Sequence, residues 1–230
     1  MGSDIKDNTV FLEFYGLPGC GKSTVTHLVA ERLRKQGKTV IEPTYDLDHR
    51  YSAGKRKAIK FLKLIRYAVF RPGRYKRLTQ LIKANGYSGA ELVYQAANIA
   101  PKLWAYENID AEYVIFDEGL TQSAISLCQG KTNRLENEEA LYNLCRQRTV
   151  QKYYIKVDIE TALERMVGRK QHDSRIEKIN DPKEQREALK AFEELCEKST
   201  CGDTVCAETK DETINVILDC LHEKEAGRKQ

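Results

Sequence analysis

The chain has 230 residues, 41% of them hydrophobic and 31% charged, and a formal net charge of +4. Those figures suit a soluble globular protein with one proper core, built as a single domain with room for a helical insertion. No uninterrupted apolar run approaches the roughly 20 residues that span a bilayer, which excludes a transmembrane helix.

The opening Met1-Gly2-Ser3-Asp4-Ile5-Lys6-Asp7 is polar and mixed in charge, so neither a signal peptide nor a transit peptide is expected. Lys6 also stands where an acylation start would carry Ser or Thr. Val10 to Tyr15 reads as a buried strand. It leads into Gly16-Leu17-Pro18-Gly19-Cys20-Gly21-Lys22-Ser23-Thr24, a full match to the phosphate-loop pattern of Gly, four residues and Gly-Lys-Ser/Thr. Glycines at 16, 19 and 21 let backbone N–H groups converge on a triphosphate without Cβ atoms in the way, with Cys20 and Thr24 completing the loop. A helix from Lys22 to Gln36, closed by Gly37, aims its positive end at the same anion. Lys22 is expected at the β- and γ-phosphates of ATP, and the Ser23 hydroxyl on Mg²⁺.

Lys38 to Pro43 predicts a second strand stopped by its proline, and Thr44 to Asp48 a loop at the sheet edge. From His49 to Ala90 there is no Asp or Glu, while Arg50 to Lys83 holds twelve Lys and Arg; the rest of the chain therefore sums to −8. Ile59, Leu62, Ile65 and Val69 share a helical face there, with Phe61 and Leu64 nearby, until Arg71-Pro72-Gly73 breaks the run. The cations form either a solvated face or a surface for an anionic acceptor, nucleic acid or acidic lipid. RNP-type aromatic signatures and zinc-finger spacings are absent, so nothing supports sequence-specific nucleic-acid binding.

Ser88 to about Tyr106 predicts a helix kinked or divided at Pro101, with Ala90, Leu92, Val93, Ala96, Ala97 and Leu103 on its apolar side. Tyr113 to Phe116 reads as a third buried strand that delivers Asp117 and Glu118 at its end, the Walker B arrangement. Asp117 is the better candidate for the metal, and Glu118 for a general base on an acceptor hydroxyl or on water. Helices are expected at Thr121–Gln129, Leu135–Arg146, Glu160–Lys170, Pro182–Lys198 and Asp211–Leu221. Strands are expected at Gln151–Asp158 and Thr204–Ala207, with a frayed end from Glu225. Arg165, Arg169 and Arg175 gather around the segment Gln171 to Ser174, the donor set that a migrating phosphoryl group requires. The seven cysteines, odd in number and without a Cys-x-x-Cys pair, point to reduced thiols in a cytoplasm. Cys196, Cys201 and Cys206 have the wrong spacing for a zinc knuckle and read as packing residues.

In this order the motifs resemble the P-loop nucleotide and nucleoside kinases, and most closely the thymidylate kinases. The residues that carry the resemblance are the Walker A loop, Val40-Ile41-Glu42-Pro43, the Asp117 strand end, and Leu163 to Arg169 with Asp173 and Arg175-Ile176-Glu177 after it. The resemblance implies an α/β three-layer sandwich of the P-loop NTPase type. Its five-stranded parallel sheet would have the order 2-3-1-4-5, with an arginine lid at about 165–177, and the basic segment is read as a helical insertion at about 53–83. It further implies that Arg165, Arg169 and Arg175 contact ATP and the moving phosphoryl group.

The chain departs from the family at four places, one being the basic segment from Arg50 to Lys83, which is larger than the resemblance predicts. Glu118 stands where an Arg is usual, Val93 to Ile99 lacks the acceptor-gripping Arg, and Ser174 separates Asp173 from Arg175. Thymidine monophosphate is thus not supported as the acceptor. The expected activity is Mg²⁺-dependent transfer of the γ-phosphoryl group of ATP to a small acceptor, a nucleotide or nucleoside. The alternative is a P-loop ATPase or switch driving a partner, docked to nucleic acid or an acidic membrane through the basic segment. A homodimer is left open.

Overall fold

The computed structural model describes residues 9–128, 134–146, 148–168, 174–198, 203–205 and 210–227. Its organising strand is β1 (Val10–Tyr15), every residue of which is buried. A strand buried on both faces needs helices on both faces, which is the condition under which parallel sheets form. Its side chains alternate accordingly. Leu12 and Phe14 pack with Val25, Val29 and Leu33 of α1 (Lys22–Lys35) and with Ile214 and Ile217 of α10 (Lys210–Gly227). Phe11 turns the other way, onto Leu103 and Tyr106 of α5 (Gly89–Asn108) and Ala124 of α6 (Leu120–Cys128).

β1 lies between β3 (Tyr113–Phe116) and β4 (Thr149–Ile155), with β2 (Val40–Ile41) and β5 (Asp203–Val205) at the edges. The five-stranded sheet has the order β2-β3-β1-β4-β5, and every pairing is parallel, as the resemblance implies. Parallel neighbours require crossovers, and each crossover here carries helix. The register sets Glu13 beside Phe116 and Tyr15 beside Tyr154. The loops after β1, β3 and β4 therefore open at one end of the sheet.

Local signals explain several boundaries. α1 is closed off by Gly37, two residues past its end, whose φ of 81° is left-handed. The Gly37 and Lys38 amides bond to the Arg34 and Leu33 carbonyls, which closes a Schellman turn. The Asp158 carboxylate accepts from the Thr161 amide at the start of α8 (Ile159–Val167). Asp181 does the same for Lys183 before α9 (Pro182–Glu197).

Other expectations are corrected. Thr44 to Asp48 is not a loop but part of helix α2 (Pro43–Arg50). Pro43, which reads as a strand stop, is its first residue, where a missing N–H costs nothing. α5 runs undivided through Pro101. β4 begins two residues earlier than expected and ends at Ile155. α7 (Arg134–Tyr142) stops short of Arg146, and α10 continues to Gly227 instead of fraying at Glu225. Gln129, Cys201, Cys206 and Ala207 lie outside the described residues.

The basic segment forms α3 (Ala53–Phe70) and α4 (Pro72–Ala84), separated at Arg71. The face of α3 that meets the body carries Leu64 and Tyr67, whereas Leu62, Ile65 and Val69 point to solvent. The helix has apolar residues on two opposite sides, and only one of them is covered. No described helix is long and apolar enough to cross a membrane.

Tyr67 is fully buried, its hydroxyl has no hydrogen-bond partner among the described residues, and burial pushes its phenol up to about 12. Tyr67→Ala should lower the unfolding free energy by about 3–5 kcal/mol. Tyr67→Phe should cost nothing, because it removes an unsatisfied group. Leu62→Ser, on the outer face, should change stability by less than about 0.5 kcal/mol in the same denaturant titration.

Candidate active site

The loop between β1 and α1 is held rigidly from three sides. A Cβ on Gly19, at φ 87°, would come within 2.4 Å of the Ala162 carbonyl oxygen, so α8 presses directly on the loop backbone. From α6, the Gln122 side chain accepts from the Gly16 amide at 3.0 Å and donates to the Gly16 carbonyl at 3.3 Å. Inside the loop, the Cys20 amide bonds to Leu17 and the Thr24 amide to Gly21. Lys22 is buried, and its Nζ donates to the Gly16 and Leu17 carbonyls at 3.0 and 2.9 Å, which lays the ammonium across the loop.

Ser23, the second residue of α1, donates from Oγ to Asp117 Oδ2 at 2.6 Å. The other carboxylate oxygen, Oδ1, accepts from the Thr44 hydroxyl on α2. Lys22, Ser23 and Asp117 thus meet at one end of the sheet. Between the two acids after β3, Asp117 is buried against Ser23, whereas Glu118 is exposed. The donors at Asp117 are all oxygens, the set a hard cation such as Mg²⁺ takes. Among the described residues no group of three or more His, Cys, Asp or Glu is placed to hold a metal ion.

A buried carboxylate fixes the turn that bears these acids. Glu13, fully buried on β1, accepts from the Leu120 amide at 2.7 Å, the Thr121 amide at 2.9 Å and the Tyr106 hydroxyl. It therefore caps the N-terminus of α6 from a neighbouring strand, where a negative charge meets unpaired N–H groups. A Cβ on Gly119 would fall 2.1 Å from Glu13 Cδ, so only glycine lets the turn come this close. Lys102 of α5 is buried beside it and donates to Ser123 Oγ at 2.8 Å and to the Gly119 carbonyl at 3.4 Å. Burial holds its ammonium below the usual lysine range, with Glu118 acting in the opposite direction.

The arginines separate. Arg165 Nη1 donates to the Cys20 carbonyl at 3.4 Å and so touches the loop between β1 and α1. Arg175 instead donates to the Tyr87 hydroxyl at 3.0 Å and lies over that ring, with its guanidinium carbon 5.1 Å from the centroid. Arg169 and Asp173 lie outside the described residues. Glu42, of the Glu-Pro segment, turns toward α1 and accepts from Arg34 at 2.8 Å, next to His27. Its burial raises the carboxyl above the ordinary range despite those partners.

Thr44, Gln122, Glu13 and Lys102 are missed by motif reading. Only Lys102 leaves a trace, lying seven residues after Gln95 on the buried face of α5.

No family model matches the chain, and no curated protein matches its sequence. Solved structures do match. A thymidylate kinase from Candida albicans superimposes with a TM-score of 0.52 at 11% identity, covering 94% of this chain and 92% of its own. A shikimate kinase from Acinetobacter baumannii in complex with shikimate gives 0.52 at 16% identity, covering 96% of each chain. The YorR protein from Bacillus subtilis, in complex with phosphorylated GDP, gives 0.50 at 14%, covering 94% of this chain and 98% of its own. What these structures share with the chain is the fold.

The contact between Glu13 and Gly119 is testable by a double-mutant cycle. Gly119→Ala should cost roughly 2–3 kcal/mol of unfolding free energy through overpacking. Glu13→Ala should cost about as much by leaving two buried amides without an acceptor. The double variant should cost less than the sum by about 1 kcal/mol or more. Strict additivity would show that the clash and the cap are unrelated.

Proposed function

We propose that the chain is a phosphotransferase that moves the γ-phosphoryl group of ATP to a small acceptor, a nucleoside or nucleotide, with Mg²⁺. The observation that carries this reading is the 2.6 Å hydrogen bond from Ser23 to Asp117 beside Lys22. It joins the start of the loop helix to the acidic strand end, the two halves of a metal-nucleotide seat. The fold shared with solved kinases supports the reaction class, and the nucleotide complex among those structures supports a nucleotide ligand.

In this scheme the loop amides and Lys22 hold the β- and γ-phosphates. Ser23 and Asp117 would hold Mg²⁺, with Thr44 fixing the carboxylate; when bound, the ion offsets charge on the phosphate oxygens. The acceptor oxygen attacks the γ-phosphorus as the bond to the bridging oxygen breaks and ADP leaves. The acceptor's proton passes to Glu118, exposed at the strand end. Arg165, already on the loop, stabilises the charge spread over the moving group; Arg169 takes the same part, and Arg175 does so by leaving Tyr87. The basic helices at about 53–83 and the lid at about 165–177 are parts of one kinase domain.

An ATPase reading is kept because Glu118 directly follows the metal-side Asp117, a position from which it could orient water. The two readings separate in one assay: ATP with and without a panel of nucleosides and nucleotides, products read by mass spectrometry. The kinase yields a phosphorylated acceptor and little acceptor-independent hydrolysis; the ATPase yields the reverse. Lys22→Ala should cut turnover roughly a hundredfold or more, with near-native circular dichroism. Full turnover in that variant would overturn the role given to Lys22.

A further inference from the structure

A surface helix ordinarily turns polar residues to water. The outer side of α3 does the opposite. Phe61 is 50% exposed, Leu62 65%, Ile65 45% and Val69 66%. Among the described residues, five of the twelve large hydrophobic side chains left exposed, Phe70 included, sit on this one helix, so the patch is no random scatter. At about 100° per residue, Ala58, Leu62, Ile65 and Val69 form one lengthwise stripe that Phe61 widens. Leu64 and Tyr67, on the opposite side, carry the packing against the body.

The borders of this stripe are cationic. Lys55 and Arg66 flank it along one edge and Lys57 along the other, with Lys63 beyond Arg66. All four are exposed, and no acidic residue occurs between His49 and Ala90. Arg66 lies over the Trp104 ring at 4.5 Å, and Phe70 meets the same ring edge-on at 6.1 Å, which puts the chain's one tryptophan at the margin of the patch.

We infer that the outer face of α3 docks on an anionic membrane surface, with the helix lying in the interface plane. The charge pattern selects this occupant. The stripe has the width and side-chain type that enter the boundary between headgroups and acyl chains, and the rim of Lys and Arg meets lipid phosphates and carboxylates. A second copy of the same face would bring like-charged rims together around the apolar contact. Nucleic acid would match the cations and leave Leu62, Ile65 and Val69 without a partner. The inference stands on α3 alone and is independent of the phosphotransferase reading.

The test uses the full chain in co-sedimentation with phosphatidylcholine vesicles, with and without phosphatidylserine, at low and high salt. The wild type should bind the phosphatidylserine vesicles at least about tenfold more tightly than the neutral ones, and lose binding as salt rises. Trp104 emission should shift to the blue on binding. Leu62→Glu with Ile65→Glu should abolish both signals, and Lys57→Glu with Lys63→Glu should weaken binding by roughly tenfold or more. All four positions are exposed, so the variants should retain the wild-type circular dichroism and melting temperature.

Absence of binding to the anionic vesicles overturns the inference, as does unchanged binding by the Leu62/Ile65 variant. A dimer in sedimentation equilibrium that the same variant dissociates would assign the face to self-association. Salt-sensitive binding to RNA that persists in that variant, without vesicle binding, would assign the cations to nucleic acid.

Discussion

The arrangement of this molecule rests on the parallel pairing of β1 with β3. Because the strands run the same way, in a register that sets Glu13 beside Phe116, the chain leaves both at one end of the sheet. The loop that follows one strand meets the acid that follows the other, and Ser23 bonds to Asp117 across 94 positions of sequence. A shift of one residue in that pairing would turn Leu12 and Phe14 away from α1 and carry Glu13 into the opposite core. The same packing that buries the β1 side chains therefore places the chemistry.

Glu13 shows how far this coupling goes. A fully buried carboxylate is costly unless its oxygens are satisfied, and this one is met by two amides at the start of α6 and a tyrosine hydroxyl. The charge that would weaken the strand in isolation anchors the helix that follows Asp117. That helix in turn sends Gln122 back to clamp Gly16. Loop, strand end and helix form a closed circuit of contacts.

The sequence discloses the parts of this circuit whose signals are local. β1, β3 and the start of α1 are readable because an apolar run, a glycine loop and a helix cap are patterns a few residues long. Thr44 and Gln122 are not readable in this way, because their partners lie 73 and 106 positions away and any hydroxyl or amide looks alike until the chain is folded. Pro43 misleads because proline suits both a strand's end and a helix's first turn. α3 misleads differently: its periodicity identifies a helix correctly, but two apolar faces compete for one core. Leu64 and Tyr67 take the buried side, and the more regular stripe is left outside. The arginines illustrate a third limit, since gathering around one short segment of sequence does not prevent Arg175 from bonding to Tyr87 while Arg165 reaches Cys20.

The central claim is that Lys22, Ser23 and Asp117 together form a seat for a metal-bound nucleoside triphosphate. Isothermal titration of the protein with ATP, in the presence of Mg²⁺ and again with EDTA, tests it most directly. The account predicts a single site that binds markedly tighter with Mg²⁺, and loss of that metal-dependent gain in Asp117→Asn. Failure to bind ATP under either condition, or an identical gain in Asp117→Asn, would contradict it.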